Sequence, residues 1–308
     1  MKKTAKIFVA GHRGMVGSAL LRALYAKGYD NLITQGREEL NLLHQTAVHT
    51  FIRAERPDYI FIAAAKVGGI YANNTERAEF LYQNLTMETN LIHAAHEAGV
   101  QRLMFLGSSC IYPRDCAQPI KEEYLLTGPL EPTNEAYAIA KIAGIKLCEA
   151  YGHQYARQYV SVMPTNLYGL NDNYDLDTSH VLPALIRKAY EAKIRGESTL
   201  TVWGSGTPRR EFLFADDLAD ACVFLMEKYY SGTFLNIGTG EDISIRELAE
   251  AIARVVGIQC EIYFDSSKPD GTPRKVLDIS KIRLENWKAK TSLEEGLKIT
   301  FLDYLKSL

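Results

Sequence analysis

The apolar run Lys6–Ala10 leads directly into Gly11-His12-Arg13-Gly14-Met15-Val16-Gly17, and a helical stretch, Met15–Lys27, follows at once. This is the most constraining stretch of the chain. Gly11 permits the tight turn out of a strand, Gly14 lets backbone approach a ligand closely, and Gly17 lets the helix pack against the strand. The new helix presents unpaired N–H groups and the positive end of its dipole just beyond the turn, which suits a pyrophosphate. A glycine pattern alone carries little weight, but placed at the first strand-to-helix junction of an alternating chain it specifies a dinucleotide cradle.

The pattern that follows fits that start. Further strands are expected at Asn31–Thr34, Tyr59–Ala63, Arg102–Leu106 and Tyr159–Met163, and helices at Arg77–Ala98 and Asn134–Arg157. Strands alternating with helices imply an α/β fold with a parallel, doubly wound sheet of Rossmann type. After Gly169 the pattern loosens into a polar loop, Asn171–Ser179. Helices follow at Val181–Lys193, Asp216–Lys228 and Ile245–Val256, the last N-capped by Ser244. The expected organisation is a Rossmann domain over residues 1–169 and a smaller C-terminal substrate-binding domain over 170–308. Segments near 213–240 are expected to return to the first domain.

Composition excludes several classes. The chain has 308 residues, 47% hydrophobic and 23% charged, with a formal net charge of -2, so nucleic acid and anionic membrane are poor partners for it. No apolar run approaches the ~20 residues of a membrane span, and Ile7–Ala10 is too short for a signal-peptide core. The five cysteines show no CxxC pair and no metal-ligand spacing, which suits reduced thiols in the cytoplasm and no metal site.

The cofactor choice follows from the end of the second strand. A site for NAD places Asp or Glu there to hold the ribose 2′-hydroxyl. Here Gln35-Gly36-Arg37 follows, and Arg13 lies within the glycine loop. Two guanidiniums suit a 2′-phosphate, which points to NADPH/NADP.

Tyr137-Ala138-Ile139-Ala140-Lys141 sits in a helical stretch, and i, i+4 spacing puts Tyr137 and Lys141 on one face. An ammonium beside a phenol stabilises tyrosinate and brings its pKa down, making a proton donor for a carbonyl that receives hydride. Ser108 follows the strand Arg102–Leu106, at the carboxyl end where open α/β sheets bind ligands, and can donate a second hydrogen bond to the same oxygen.

The glycine loop, Ser108 and Tyr137–Lys141, in this order and spacing, resemble the extended short-chain dehydrogenase/reductase family over most of the chain. Pro164-Thr165-Asn166-Leu167-Tyr168-Gly169 matches that group's segment after the sheet. Its dehydratases carry an Asp-Glu pair where Ser109-Cys110 stands here. The segments Gly11–Gly17, Ala63–Gly69, Gly107–Pro113, Glu131–Glu135, Trp203–Pro208 and Lys268–Lys275 are similar to the GDP-L-fucose synthase family. Two departures are Phe214-Ala215-Asp216-Asp217, where His-Val-Asp-Asp is expected, and a short connection around Tyr229–Thr233.

The resemblance implies epimerisation of a GDP-4-keto-6-deoxy-D-mannose at C3 and C5, then reduction at C4 by NADPH, in a homodimer. It also implies the roles. Cys110 is the base and His180 the acid, while Lys141, Pro164, Asn166, Leu167 and His180 join the cofactor site. Lys188, Trp203, Arg210 and Lys275 take the nucleoside diphosphate, and Asp270 contacts substrate. Two other functions remain open on the residues: a nucleotide-sugar 4-epimerase with tightly held NAD, and a non-catalytic NADP-sensing module.

Overall fold

The computed structural model describes residues 1–176, 178–230, 234–268 and 270–308. Five strands and six helices position the site: β1 (Ile7–Ala10), α1 (Met15–Ala26), β2 (Leu32–Ile33), α2 (Gln45–Glu55), β3 (Tyr59–Ile62), α3 (Ile70–Thr75), α4 (Arg77–Glu97), β4 (Arg102–Leu106), α5 (Glu135–Tyr155), β5 (Gln158–Pro164) and α6 (Val181–Arg195). Every residue of β1, β3 and β4 is buried, so both faces of the sheet need cover and their sequences run apolar without alternation. Helices supply that cover. α1 packs against the helix Ala215–Lys228, and α4 packs against both α2 and α5.

The sheet is wholly parallel, with strand order β2-β1-β3-β4-β5 and then Phe234–Ile237 at the far edge. The chain steps outward from β1 to β2 and then crosses back to β3. The reversal opens a crevice beyond the carboxyl ends of β1 and β3, where ligands of such sheets bind. β2 keeps only two of the four residues expected for it, because Gly36 turns there and donates its N–H to the Glu39 carboxylate at 2.6 Å. α2 and the C-terminal helix Leu293–Lys306 carry weak sequence signals. α2 buries Val48 and Ile52 with Phe51 packed beside them, a short stripe with no side-chain cap at His44 to mark its start.

Beyond β5 the chain builds three small sheets. Asn166–Tyr168 pairs with Phe212–Phe214, Thr199–Trp203 with Glu261–Asp265, and Arg209–Arg210 lies between Ile243–Ser244 and Arg274–Lys275. The helix Ile245–Val256 starts with a capping box, Ser244 and Glu247 each bonding the other's backbone N–H. The buried apolar residues form two clusters. The larger surrounds the six-stranded sheet and includes Leu213, Leu218 and Leu235; the smaller lies among α6, Ile245–Val256 and Leu293–Lys306. Along Phe212-Leu213-Phe214 the alternation of a strand sends Leu213 into the larger cluster and both phenylalanines into the smaller.

The unexpected Phe214-Ala215-Asp216-Asp217 is used for packing. Phe214 meets Tyr168 edge-on at 5.7 Å, Asp216 pairs with Arg22 at 2.7 Å, and Asp217 accepts from the backbone of Lys290 and Thr291. The expected short connection at Tyr229–Thr233, the loop Asn171–Ser179 and the segment Lys268–Lys275 fall partly on residues 231–233, 177 and 269, which lie outside the described residues. Among the described residues, no helix is long and apolar enough to cross a membrane, and no cluster of three or more His, Cys, Asp or Glu could hold a metal ion.

Candidate active site

The glycine loop sits at the switch point. Gly11 has φ +84, and a Cβ there would come within 2.6 Å of the Ala64 backbone, so the first turn packs against the chain leaving β3. A Cβ on Gly17 would lie 2.0 Å from the Gly11 carbonyl, which makes this glycine a requirement of the close turn. Gly14 is the N-cap residue of α1 and no side chain caps the helix, leaving the first amides directed at the crevice. Met15 and Val16 form the half-buried first turn, and burial together with Arg13 lowers the pKa of His12. The Arg13 guanidinium lies over Gly36, where a Cβ would approach it to 2.9 Å. It therefore stands beside the Gln35-Gly36-Arg37 turn, with both arginines exposed. This basic corner fits a 2′-phosphate, and the loop fits a pyrophosphate.

Gly107 holds β4 against β5, with its N–H on the Val162 carbonyl at 2.9 Å and no room for a Cβ beside Met163. The chain then turns through a 3-10 segment, Ser109–Ile111, for which Ser108 is the N-cap and accepts from the Cys110 N–H at 3.4 Å. Ser108 and Cys110 are thus fixed on one turn at the carboxyl end of β4. Burial pushes the Cys110 thiol up, while Lys275, a hydrogen bond with Ser108 and Lys141 oppose it. Ser109, Cys110, Glu131, Asn134, Arg274 and Lys275 line one small cavity beside this turn.

Tyr137 and Lys141 lie on α5 as the spacing requires, with the Lys141 Nζ 5.7 Å from the centre of the Tyr137 ring and 4.6 Å from that of Phe105. Phe80 of α4 meets the Tyr137 ring edge-on at 6.4 Å. The expected lowering of the tyrosine pKa is not met. Burial first, then Cys110 and Glu88, push the phenol well up, and the Lys141 ammonium is paired with Glu88, 3.8 Å away.

At the end of β5, Pro164 is buried and Asn166 donates to the Glu211 carbonyl at 2.8 Å, with Leu167 next in the strand. His180 occupies the N-cap position of α6, but its ring makes no capping bond. The residue is exposed, and desolvation by the protein around it together with Lys275 lowers its pKa. The preceding loop is stitched across the crevice by the Gly69 N–H on the Thr178 carbonyl at 2.8 Å.

The five residues expected at substrate form one connected surface. Lys188 lies over the Trp203 ring at 4.7 Å, and Lys268 over the same ring at 5.2 Å. Trp203 is 55% exposed, so it is not core. Asp270 accepts from the Ser205 N–H at 2.7 Å and packs on Gly204, directly after Trp203. Arg210 and Lys275 are paired neighbours in a parallel ladder, and burial lowers the pKa of each. The two cations stand together where an anion would have to lie.

The comparisons decide which family this site serves. Residues 7–238 match the NAD dependent epimerase/dehydratase family. GDP-L-fucose synthase 1 of Arabidopsis thaliana is 55% identical over 306 residues, 99% of this chain and 95% of that protein. GDP-L-fucose synthase of Escherichia coli K12 is 53% identical over 311 residues, 98% of this chain and 97% of that protein. The chain belongs to the GDP-L-fucose synthase family. A solved GDP-mannoheptose C4 reductase from Campylobacter jejuni with NADP bound is 37% identical, covers 99% of each chain and has a TM-score of 0.91.

In this member of the GDP-L-fucose synthase family, sequence reasoning missed two buried carboxylates. Glu88 lies on α4 in a stripe with Phe80, Asn84 and Ala95, at helical spacing on the buried side. A polar pair inside such a stripe was the available signal. Asn84 clamps the Lys66 backbone, accepting from its N–H and donating to its carbonyl. Glu211 is fully buried and accepts from the backbone N–H groups of Gly240 at 2.7 Å and Leu277 at 2.8 Å. Nothing in Arg209-Arg210-Glu211-Phe212 distinguishes it from a surface acid, since its partners lie far along the chain.

Proposed function

We propose that the chain converts GDP-4-keto-6-deoxy-D-mannose to GDP-L-fucose, as isomerase and oxidoreductase in one site. The observation that carries the reading is Ser108 and Cys110 held on one turn, with Tyr137 and Lys141 on α5 and Lys275 beside the thiol. Both epimerised carbons are α to the C4 ketone, so removal of either proton makes an enolate whose oxygen is at C4. Tyr137 and Ser108 donate to that oxygen and stabilise the developing charge. Cys110 takes the proton at C3 and C5, and His180 returns one from the opposite side. NADPH, when bound, supplies the hydride to C4, and Tyr137 then delivers the proton to oxygen.

The glycine loop Gly11–Gly17 would hold the cofactor pyrophosphate, Arg13 and Arg37 its 2′-phosphate, and Lys141, Pro164, Asn166, Leu167 and His180 its nicotinamide half. Arg210 and Lys275 take the diphosphate of the sugar nucleotide, and Lys188, Trp203 and Asp270 its nucleoside. In this reading the smaller apolar cluster is the core of a substrate-binding domain over 170–308, with 213–240 belonging to the Rossmann domain of 1–169. A homodimer is supported by family likeness and by exposed Tyr82, Ile139 and Tyr155 on α4 and α5, and light scattering in solution should return the mass of two chains. Cytoplasmic residence is supported by the NADPH requirement and by five unpaired cysteines.

The test is incubation with the keto-sugar nucleotide in heavy water. Deuterium should enter C3 and C5, and NADPH consumption should yield the L-fuco product. Reduction without exchange at either carbon would reject the epimerase half. Epimerisation at C4 with no net NADPH consumption would reject the reaction as a whole.

A further inference from the structure

Glu88 and Lys141 form an ion pair sealed inside the protein. Their charged atoms are 3.8 Å apart, and the side chains are 2% and 3% exposed. Among the described residues neither Glu88 oxygen has a hydrogen-bond donor in bonding geometry. A carboxylate buried this way is costly unless a charge answers it; burial pushes the Glu88 carboxyl up to about 7, and Lys141, the one charged group that acts on it, opposes this together with the Gly144 backbone N–H. The titratable groups around the pair are Tyr137 and Cys148 on α5 and Cys110 after β4. Those three are uncharged when protonated and cannot replace Lys141 as counter-ion.

The fold makes room for this pair. On α5, three residues past Lys141, Gly144 faces Glu88, and a Cβ there would meet the Glu88 carboxyl carbon at 3.1 Å and the Phe105 ring at 2.5 Å. Any other residue would push the carboxylate or the ring aside. Phe105 in turn presents its face to the Lys141 ammonium. The ammonium is therefore held between a carboxylate, an aromatic face and the Tyr137 ring.

We propose that Glu88 is a positioning residue for the reaction, supplying the buried counter-charge that keeps Lys141 an ammonium beneath Tyr137. This rests on the reading of Tyr137 and Lys141 as the proton-donating pair. Burial alone would favour neutral lysine, and a neutral lysine does nothing to make the phenol a better acid. Burial lowers the Lys141 pKa, and Glu88 is the largest influence raising it. Glu88 also raises the phenol directly, so its contribution to proton donation runs through the charge it preserves on Lys141.

The test is Glu88→Gln, which keeps shape and removes charge, with Glu88→Asp as the charge-retaining variant. An opposite charge at this range moves a pKa by ~1–3 units. The alkaline limb of the kcat profile for keto-sugar reduction should therefore fall by ~1–3 pH units in Glu88→Gln. At a pH within that gap kcat should drop about tenfold or more, while KM for the sugar nucleotide changes little. Glu88→Asp should recover most of the limb position. In a Lys141→Met background Glu88→Gln should move the limb far less than it does in the wild type. A folded Glu88→Gln enzyme with the wild-type limb overturns the proposal, and so does a uniform loss of kcat at all pH values. If Glu88→Gln does not fold, Lys141→Met with a wild-type limb overturns it equally. Tyr137→Phe separates the two readings. A ~10²–10⁴-fold loss of reduction leaves the pair's assignment standing whatever Glu88 does, and near-normal turnover removes that assignment first.

Discussion

Cys110 has a chemistry set by two opposed surroundings. Burial favours the thiol, whereas Lys275, Ser108 and Lys141 favour the thiolate. With the thiol pushed up on balance, the base form grows as pH rises. Exchange of solvent deuterium into C3 and C5 should therefore climb through the neutral-to-alkaline range. Cys110→Ser keeps the size and removes the acidity. The variant should bind NADPH normally, lose exchange by ~10²-fold or more as expected for a missing general base, and give mainly an unepimerised 6-deoxyhexose if it reduces at all. Mass analysis of the recovered sugar reads both outcomes. Exchange at the wild-type rate would move the base to His180, whose ring lies free of the α6 cap.

The turn between β1 and α1 works as a unit with the end of β2. Gly11 and Gly17 leave no room for side chains in the turn, and its arginine crosses to the Gly36 turn to form the basic corner with Arg37. Replacing Arg13 and Arg37 together by alanine removes charge from that corner and leaves the glycine geometry intact. A charge-assisted phosphate contact is worth ~1.5–3 kcal/mol, so each loss should weaken NADPH about tenfold or more, with NADH little changed. Titration of cofactor fluorescence checks this, and equal weakening of both cofactors would show that the pair does not read the 2′-phosphate. Lys6–Ala10 with Gly11–Gly17 was legible as an element because every requirement in it is local: a strand, a turn needing glycine, a helix start. α2 was not read from the sequence: its apolar stripe of Val48, Phe51 and Ile52 is short, and no capping side chain marks its start.

Across the whole molecule, Glu211 ties together segments far apart in the chain. Its carboxylate takes the amides of Gly240 and Leu277, its carbonyl takes the Asn166 amide, and its N–H bonds the Lys275 carbonyl at 3.2 Å. Every one of these donors to its carboxylate is neutral, and burial pushes its pKa up. Glu211→Ala leaves two amides without acceptors at ~1–3 kcal/mol each, so the denaturation midpoint in urea should fall by an amount equivalent to about 2–4 kcal/mol. Glu211→Gln, which keeps one carbonyl acceptor, should fall less. An unchanged midpoint in the alanine variant would show that these segments hold together without it.

The candidate residues Gly11–Gly17, Ser108, Tyr137 and Lys141 could be picked from the sequence because their requirements lie within a few positions of each other, whereas Cys110 and His180 came only from the family resemblance. Helical spacing, a turn after a strand and a glycine where no Cβ fits are all properties of short segments. Arg37 could be picked by the missing acid after the second strand. The sequence likewise determined the parallel α/β fold, through fully apolar strands alternating with helices. Only the tertiary structure decided where the Lys141 charge goes. It brings Glu88, on α4, to the ammonium, and it buries Tyr137, which with Cys110 and Glu88 raises the phenol pKa, opposite to the local expectation. It also decided that Arg210 and Lys275, 65 residues apart in the chain, stand side by side in a ladder. Such pairings arise from packing between distant elements, and no spacing within either segment encodes them.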